Sequence, residues 1–381
     1  RSTLNSRWVG EGPKVKIFEN KFKQQFAKNN AVISTGSGTD ALHLAYLLAG
    51  LKKGDEVIST IFTCTATNIP LLYLGCKIKF ADVDLNTMNI SVKSVKKLIT
   101  KKTKAILAPH LLGNLVNWKK IYPILKKNKI IIIEDSADTL GATIEKKSSG
   151  LYADISITSF YGSHIINCAG NGGMVCFNNK NYYLKAKLLR SWGRSSSLYD
   201  EKSEKIENRF NIKLDGIQYD KKFVFSEQGH NLEPSEIGAA FGLIQLGKLK
   251  KNINIRERNF RKISKFLKSY SEYFILPKQL PKSKTGWLAY PITIRENAPF
   301  TRTEMQIYLE KKNIQTRVIF TGNILRQPGF KNIKMKKIHS GYPEADKVMK
   351  NGILIGCHQG ISGKMLEYLT NSIKNFINSK I

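Results

Sequence analysis

The chain has 381 residues, 41% of them hydrophobic and 24% charged, a balance that fits a globular protein of two domains and excludes a disordered or fibrous one. No apolar run is long enough to span a bilayer, so membrane insertion is not expected. Net charge is +33, from 62 Lys plus Arg against 29 Asp plus Glu; the lysines are scattered over amphipathic segments at 92–104, 119–129 and 248–268 without the aromatic interleaving of a nucleic-acid module, so nucleic acid is not an expected partner, whereas an anionic substrate would gain from the field.

The sequence opens Arg1-Ser2-Thr3 without a methionine, which suggests a trimmed start, and no signal-peptide pattern is readable. Helical spacing covers Val15 to Ala27, a short strand Ala31 to Ser34 follows, and helical spacing returns from Thr39 to Ala49. Apolar runs of strand length recur at Glu56 to Ser59, Lys77 to Phe80, Ala105 to Leu107, Ile130 to Ile133 and Asp154 to Ile157, with helical stretches between them. Such alternation predicts an α/β fold with a mainly parallel sheet covered by helices on both faces, and ligands at the carboxyl ends of the strands. Leu198 to Asp220 reads as a long polar insertion or loop.

Beyond Asn252 a basic helix leads into a strand at Trp287 to Ile294, a helix at Thr301 to Lys312, a strand at Thr316 to Phe320 and a helix at Leu366 to Asn378. Two domains are therefore predicted, a large ligand-binding one at 1–251 and a smaller α+β one at 252–381. The five cysteines, Cys64, Cys76, Cys168, Cys176 and Cys357, form no C-x-x-C pair and no metal-like cluster. No metal site and no disulfide are expected, and the simplest setting is a reducing, cytoplasmic one.

Three stretches carry chemistry. The first strand runs into Thr35-Gly36-Ser37-Gly38-Thr39-Asp40 and then a helix; glycines let the backbone approach a phosphate and the free amides of a helix start bind it, though a plain turn reads the same way. Ile130 to Ile133 ends in Glu134-Asp135-Ser136-Ala137-Asp138, where Asp135 could hold a proton on a heterocyclic nitrogen or simply cap the following segment. Strand Asp154 to Ile157 leads to Ser159 and His164, with glycines at 170, 172 and 173; a hydroxyl suited to phosphate and a proton-transfer base lie on one loop.

In this order the pieces resemble the DegT-type sugar aminotransferase family over nearly the whole chain. The likeness rests on Trp8-Val9-Gly10-Glu11-Gly12, Phe18-Glu19, Ser37-Gly38-Thr39-Asp40-Ala41-Leu42-His43-Leu44-Ala45, Gly54-Asp55-Glu56-Val57-Ile58, Glu134-Asp135, the Ser159 region and Gly229-His230-Asn231. It implies the aspartate aminotransferase-type fold and a PLP or PMP cofactor. It also implies that Ser37, Gly38, Thr39 and Ser159 hold the cofactor phosphate, that Asp135 holds the pyridine nitrogen, and that Asn231 reaches the phosphate of a neighbouring subunit, hence a homodimer with shared active sites.

Where the family carries a catalytic lysine this chain has His164. A lysine could hold an aldehyde cofactor covalently; an imidazole cannot make that bond and can only move protons. With Leu111-Leu112-Gly113-Asn114, Trp192-Gly193-Arg194, Gln315-Thr316-Arg317 and Thr321-Gly322-Asn323, the chain is most similar to the PMP-dependent nucleotide-sugar 3-dehydratases, a branch that removes a hydroxyl from a nucleotide-linked 4-keto-6-deoxysugar, releases ammonia and restores PMP with L-glutamate. Members either work alone or need an iron–sulfur cluster and a reductase. The cysteines here lack the closely spaced set a cluster needs, so the self-sufficient kind, without iron–sulfur, is expected.

Arg194 and Arg317 are candidate anion contacts to the substrate. Four features depart from the family pattern. Cys64 falls where an aromatic ring usually covers the cofactor, Asp138 replaces a glutamine, Glu233 replaces an arginine, and the loop before Gly170 is one residue longer, so that counting back from the glycines puts Ile165 at the lysine position. Two other readings remain open from sequence: an aminotransferase that tolerates histidine, and an inactive relative that binds nucleotide sugars.

Overall fold

The computed structural model describes residues 2–6, 9–27, 30–179, 181–199, 206–333 and 341–381. Trp8 of the first family motif and part of the predicted loop at 198–220 lie outside the described residues. Two compact units emerge, one formed by residues 1–51 with 154–246 and the other by 52–153 with 247–381.

In the first unit the strands Ala31–Thr35 and Ile155–Ser159 both pair antiparallel with Gly173–Phe177. Gly173 stands opposite Thr35 on one side and opposite Ser159 on the other, so the carboxyl ends of two mutually parallel strands emerge at the same level, flanking Gly173. Every residue of Gly173–Phe177 is buried; it is an antiparallel return strand that the sequence reading missed, because it follows directly on a glycine-rich loop. Helix Gly38–Leu48 starts just beyond Thr35, with Ser37 as its N-cap, the serine oxygen accepting from the Asp40 amide at 3.0 Å. Helix Pro13–Phe26 has no capping side chain of its own. Its free amides at Lys14 and Val15 donate instead to the buried Glu236 carboxylate, at 2.5 and 3.0 Å, a charge suited to the positive end of a helix. Within the predicted loop, Ile212–Leu214 and Ile217–Tyr219 pair as a hairpin.

In the second unit four parallel strands lie in the order Lys77–Ala81, Glu56–Thr60, Thr103–Pro109, Ile131–Asp135. Ile58, Ala81, Ile106 and Ile132 pack with Val95, Trp118, Ile121 and Leu125 from the helices Val92–Leu98 and Trp118–Lys127, which accounts for the apolar residues that mark these strands in the sequence. A separate antiparallel sheet, ordered Phe274–Ile275, Tyr290–Ile294, Gly352–Ile355, Thr316–Arg317, carries the helices Arg302–Lys311 and Gly363–Asn378 around a core that includes Trp287, Ile292, Leu309 and Phe376. The strand expected at Thr316 to Phe320 stops at Arg317; Phe320 and Gly322 both take positive φ, 44° and 64°, and turn the chain away. The 32-residue helix Glu236–Leu267 runs unbroken through residues 251 and 252. Among the described residues no helix is long and apolar enough to cross a membrane.

Candidate active site

The first unit brings Ser37, Gly38, Thr39 and Ser159 together. A Cβ placed on Gly38 would fall 2.6 Å from Ser159 Cβ and 2.7 Å from its Oγ, so only glycine lets the helix start lie against that serine. Ser159 is buried, and its Oγ accepts from the Tyr161 amide at 3.2 Å. The amides of Gly38 and Thr39 open the helix beside this hydroxyl, an arrangement that binds a phosphate through backbone donors and the helix field.

From Ser159 the chain makes a closed excursion and returns at Gly173. Phe160 N donates to Gly172 O at 2.9 Å and Gly162 N to Gly170 O at 3.0 Å. His164 stands near the tip, half-buried, its amide bonded to Tyr161 O at 3.0 Å and its ring centroid 6.2 Å from that of Tyr161. Ile165 and Ile166 are 2% and 1% exposed. The two isoleucines anchor the loop in the core, whereas His164 is half-buried with its Nδ1 enclosed.

Asn231 is exposed, and its position is set by a residue that the sequence reading passed over. Arg190, 1% exposed, donates from Nη1 to Ser34 O at 3.0 Å and pairs with Glu11 and Glu19. Its own carbonyl accepts from Leu232 N at 2.9 Å, and Leu232 O accepts from Gly36 N at 3.0 Å. The guanidinium of Arg190 thus holds the end of the first strand, while its backbone carbonyl, through Leu232, ties the Asn231 segment to the phosphate turn. Glu19 accepts from Ser34 N and Oγ at 2.7 and 2.6 Å; burial pushes its carboxyl up, opposed by the Arg190 charge. Arg194 lies in the same region, four residues on, with its backbone paired to Phe225.

The second unit brings Asp135, Asp138 and Cys64 together. Asp135 ends its strand, 5% exposed, and accepts from Thr67 Oγ1 at 3.2 Å and from the Ala137 amide at 3.1 Å. Burial pushes its carboxyl up, the two hydrogen bonds and His110 pulling the other way. A buried pair lies behind it: His110 Nε2 stands 3.0 Å from Glu134 Oε1, its Nδ1 accepts from the Val116 amide at 2.8 Å, and its backbone amide donates to Asp135 O at 2.9 Å. An Nδ1 that accepts fixes the tautomer, with the proton on Nε2 toward Glu134.

Asp138 accepts from the Leu112 amide at 2.9 Å, and burial first, then the Asp135 charge, pushes its carboxyl up to about 7. The folded protein therefore holds a proton that the unfolded chain has released. The stability tied to that proton is fully present below the ordinary carboxylate value of 3.8 and is lost as pH rises through 7. Asp138→Asn keeps the acceptor for Leu112 and removes this charge, so its melting temperature relative to the parent protein should climb between pH 4 and pH 7 and level off above. A difference that stayed flat over this range would contradict the assignment.

Cys64 is exposed at the start of helix Thr65–Tyr73. Partial desolvation raises its thiol first, and the charges of Asp135 and Asp138 raise it further. The segment 61–64 is tied down by Thr321 Oγ1, which donates to Thr63 O at 2.8 Å, and by Ile324 N, which donates to Ile61 O at 3.1 Å. Arg317 is exposed, donates to Thr316 O at 2.7 Å and borders a depression of about 540 Å³ that it shares with Gln306, Glu310 and Val318. Among the described residues no group of His, Cys, Asp and Glu could hold a metal ion.

The fold is of the aminotransferase type, α/β with a mainly parallel central sheet. The chain belongs to the DegT/DnrJ/EryC1/StrS aminotransferase family, whose model matches residues 1–374. It is 31% identical to the GDP-4-keto-6-deoxy-D-mannose 3-dehydratase of Escherichia coli O55:H7, over 98% of this chain and 95% of the relative. It is also 31% identical to the dTDP-4-dehydro-2,6-dideoxy-D-glucose 3-dehydratase of Saccharopolyspora spinosa, over 97% of this chain and 81% of the relative. Among solved structures, GDP-4-keto-6-deoxymannose-3-dehydratase with a trapped PLP-glutamate geminal diamine superposes with a TM-score of 0.86 at 28% identity, covering 97% of this chain and 95% of that one.

Proposed function

We propose that the chain is a PMP-dependent 3-dehydratase of a nucleotide-linked 4-keto-6-deoxysugar, giving a 3,6-dideoxy-4-keto sugar and ammonia, with L-glutamate as amino donor. The observation that carries it is His164 in place of the family's lysine, in a chain whose relatives at 31% identity are named 3-dehydratases.

The residues present fit the cofactor. Gly38 and Ser159 form a cradle that a single Cβ would fill, and Asp135 offers a buried carboxyl, raised by desolvation, that a protonated heterocyclic nitrogen would neutralise. Ser37, Gly38, Thr39 and Ser159 hold the phosphate, Asp135 holds the ring nitrogen, and Cys64 and Asp138 line the ring. When bound, the group would supply a primary amine to condense with the substrate's carbon-4 ketone and, once its methylene is deprotonated, the electron pair pushed toward the sugar that expels the carbon-3 hydroxyl; hydrolysis would then release ammonia, and L-glutamate would restore the amine. His164 takes the proton from the cofactor methylene and serves again in the glutamate half-reaction. With no lysine at this position, nothing on the loop captures the cofactor covalently between the steps. Arg194 and Arg317 face the anionic part of the substrate.

The exposed Asn231 supports a homodimer in which it reaches the partner's cofactor phosphate. Beside it lies a depression of about 420 Å³ lined by Ser34, Gly36, Asn171, Gly172 and Glu233. Residues 1–251 would form the large cofactor-binding domain and 252–381 the smaller C-terminal one, which contributes Arg317. The free thiols agree with a reducing, cytoplasmic setting.

Ammonia release tests this reading. One ammonia per sugar should appear when PMP, L-glutamate and the keto sugar are all present, and none from an aminotransferase. Cys64 provides a second test, because the other four cysteines are buried and N-ethylmaleimide therefore reports on this thiol. PMP should slow the labelling in proportion to the fraction of sites filled; labelling indifferent to PMP would remove Cys64 from the cofactor site.

A further inference from the structure

Glycine is among the least favourable residues in a helix interior, yet helix Glu236–Leu267 carries Gly238 and Gly242 four residues apart, on one face. Both lie against Cys168. A Cβ on Gly242 would fall 2.5 Å from Cys168 Sγ and 2.9 Å from Phe18 Cε2, and one on Gly238 would fall 3.1 Å from Cys168 O. The residue therefore sits in a notch that the two glycines open in the helix, beside the Phe18 ring. Cys168 is 7% exposed, and burial pushes its thiol up to about 12, so the sulfur fills space and stays unreactive.

What the notch holds is the returning limb of the loop that carries His164. Cys168 N donates to Phe160 O at 3.1 Å, and the buried Phe160 packs edge-on against Phe18, with ring centroids 5.1 Å apart. Asn167 Nδ2 donates across the loop to Gly162 O at 3.4 Å. Just beyond Cys168 the chain turns through Ala169 and Gly170, with φ of 56° and 104°; an alanine takes that conformation only when its surroundings impose it. Phe18 is fixed in turn by helix Pro13–Phe26, whose first amides donate to Glu236. That carboxylate ties together the two helices that form the notch.

We propose that Cys168, seated against Gly242 and Phe18, is a positioning residue for proton transfer at His164. The histidine lies four residues before the seat, and the Phe160–Cys168 and Gly162–Asn167 bonds tie the two limbs of the loop together, so a displaced Cys168 carries the imidazole with it. This rests on the reading of His164 as the base. A misplacement of about 1 Å at a reacting group costs on the order of a hundredfold in rate.

The test pairs Gly242→Ala, whose methyl would overlap the sulfur, with Cys168→Ala, which removes the sulfur and makes room for that methyl. Three quantities are read on the PMP-loaded protein: kcat for ammonia release with L-glutamate and the keto sugar, PMP affinity, and the NMR signal of the His164 imidazole in protein with isotope-labelled histidine. The chain has six histidines, and the signal missing from His164→Asn identifies the one. Gly242→Ala should lower kcat about 10- to 100-fold, leave PMP affinity unchanged and shift the His164 signal. Cys168→Ala alone should lower kcat less, and the two together should recover both kcat and the signal, because a methyl then fills the space of the sulfur. A Gly242→Ala protein that melts earlier but keeps the parental kcat and signal would make the contact structural only. A double variant no better than Gly242→Ala would break the link between sulfur and imidazole, and either result overturns the proposal. Should Gly242→Ala not fold, a parental kcat and signal in Cys168→Ala overturns it as well. A signal that shifts and recovers while every variant releases ammonia at the parental rate would sink His164 as the base and leave the seat standing.

Discussion

His164→Asn should lower dehydration by about a hundred- to ten-thousandfold, the range that a positioned general base contributes, while PMP stays bound. Asparagine has similar reach and can hydrogen-bond, but it cannot take a proton at neutral pH. The groups proposed to bind the cofactor are elsewhere: Ser159 precedes the loop excursion, the phosphate turn starts the helix Gly38–Leu48, and Asp135 ends a strand of the other unit. The loop itself is anchored by the buried Ile165 and Ile166, so the substitution should leave its path unchanged. Steady-state ammonia release and the absorbance of retained PMP are the two readouts. Loss of both together would mean that His164 binds rather than transfers protons, and a near-normal rate would move the base elsewhere.

Asp135→Ala should weaken PMP binding by about a hundred- to a thousandfold, the scale expected when one partner of a buried charge pair is removed. The carboxyl is 5% exposed and desolvation pushes it up, so it gains most when a protonated ring nitrogen faces it. Thr67 and the Ala137 amide orient it through 3.2 and 3.1 Å hydrogen bonds, and the His110–Glu134 pair fixes the strand end behind it. Equilibrium dialysis of PMP against the variant and the parent measures the effect. An unchanged dissociation constant would make Asp135 a capping residue, the other role its sequence context allows.

The elements that proved easiest to read were the parallel strands, whose buried apolar residues recur between helices: Glu56–Thr60, Lys77–Ala81 and Ile131–Asp135 begin within a residue of their expected starts, although in the edge strand Lys77–Ala81 exposed Lys77 and half-buried Lys79 alternate with buried Ile78 and Phe80. Gly173–Phe177 escaped because its glycine and cysteine continue a loop-like composition, although the strand is fully buried and sets the spacing of the two carboxyl ends beside it. The phosphate turn was legible because close approach demands glycine, and Gly38 against Ser159 shows the demand directly. Arg190 was not legible. It ends a helix that carries two lysines, Lys185 and Lys187, and its partners Glu11, Glu19 and Ser34 lie 179, 171 and 156 residues away, so no local pattern marks it. Gly242 was hidden for a similar reason, since its contact with Cys168 joins a helix and a loop about 70 residues apart in sequence.

A histidine in the lysine position is what would make this chain a dehydratase rather than an aminotransferase. Mass spectrometry of the sugar nucleotide after incubation with PMP, L-glutamate and GDP-, CDP- and dTDP-linked 4-keto-6-deoxysugars tests it most directly. The expected product has lost the carbon-3 hydroxyl and carries no nitrogen on the sugar ring. An amino sugar that retains the hydroxyl would contradict it.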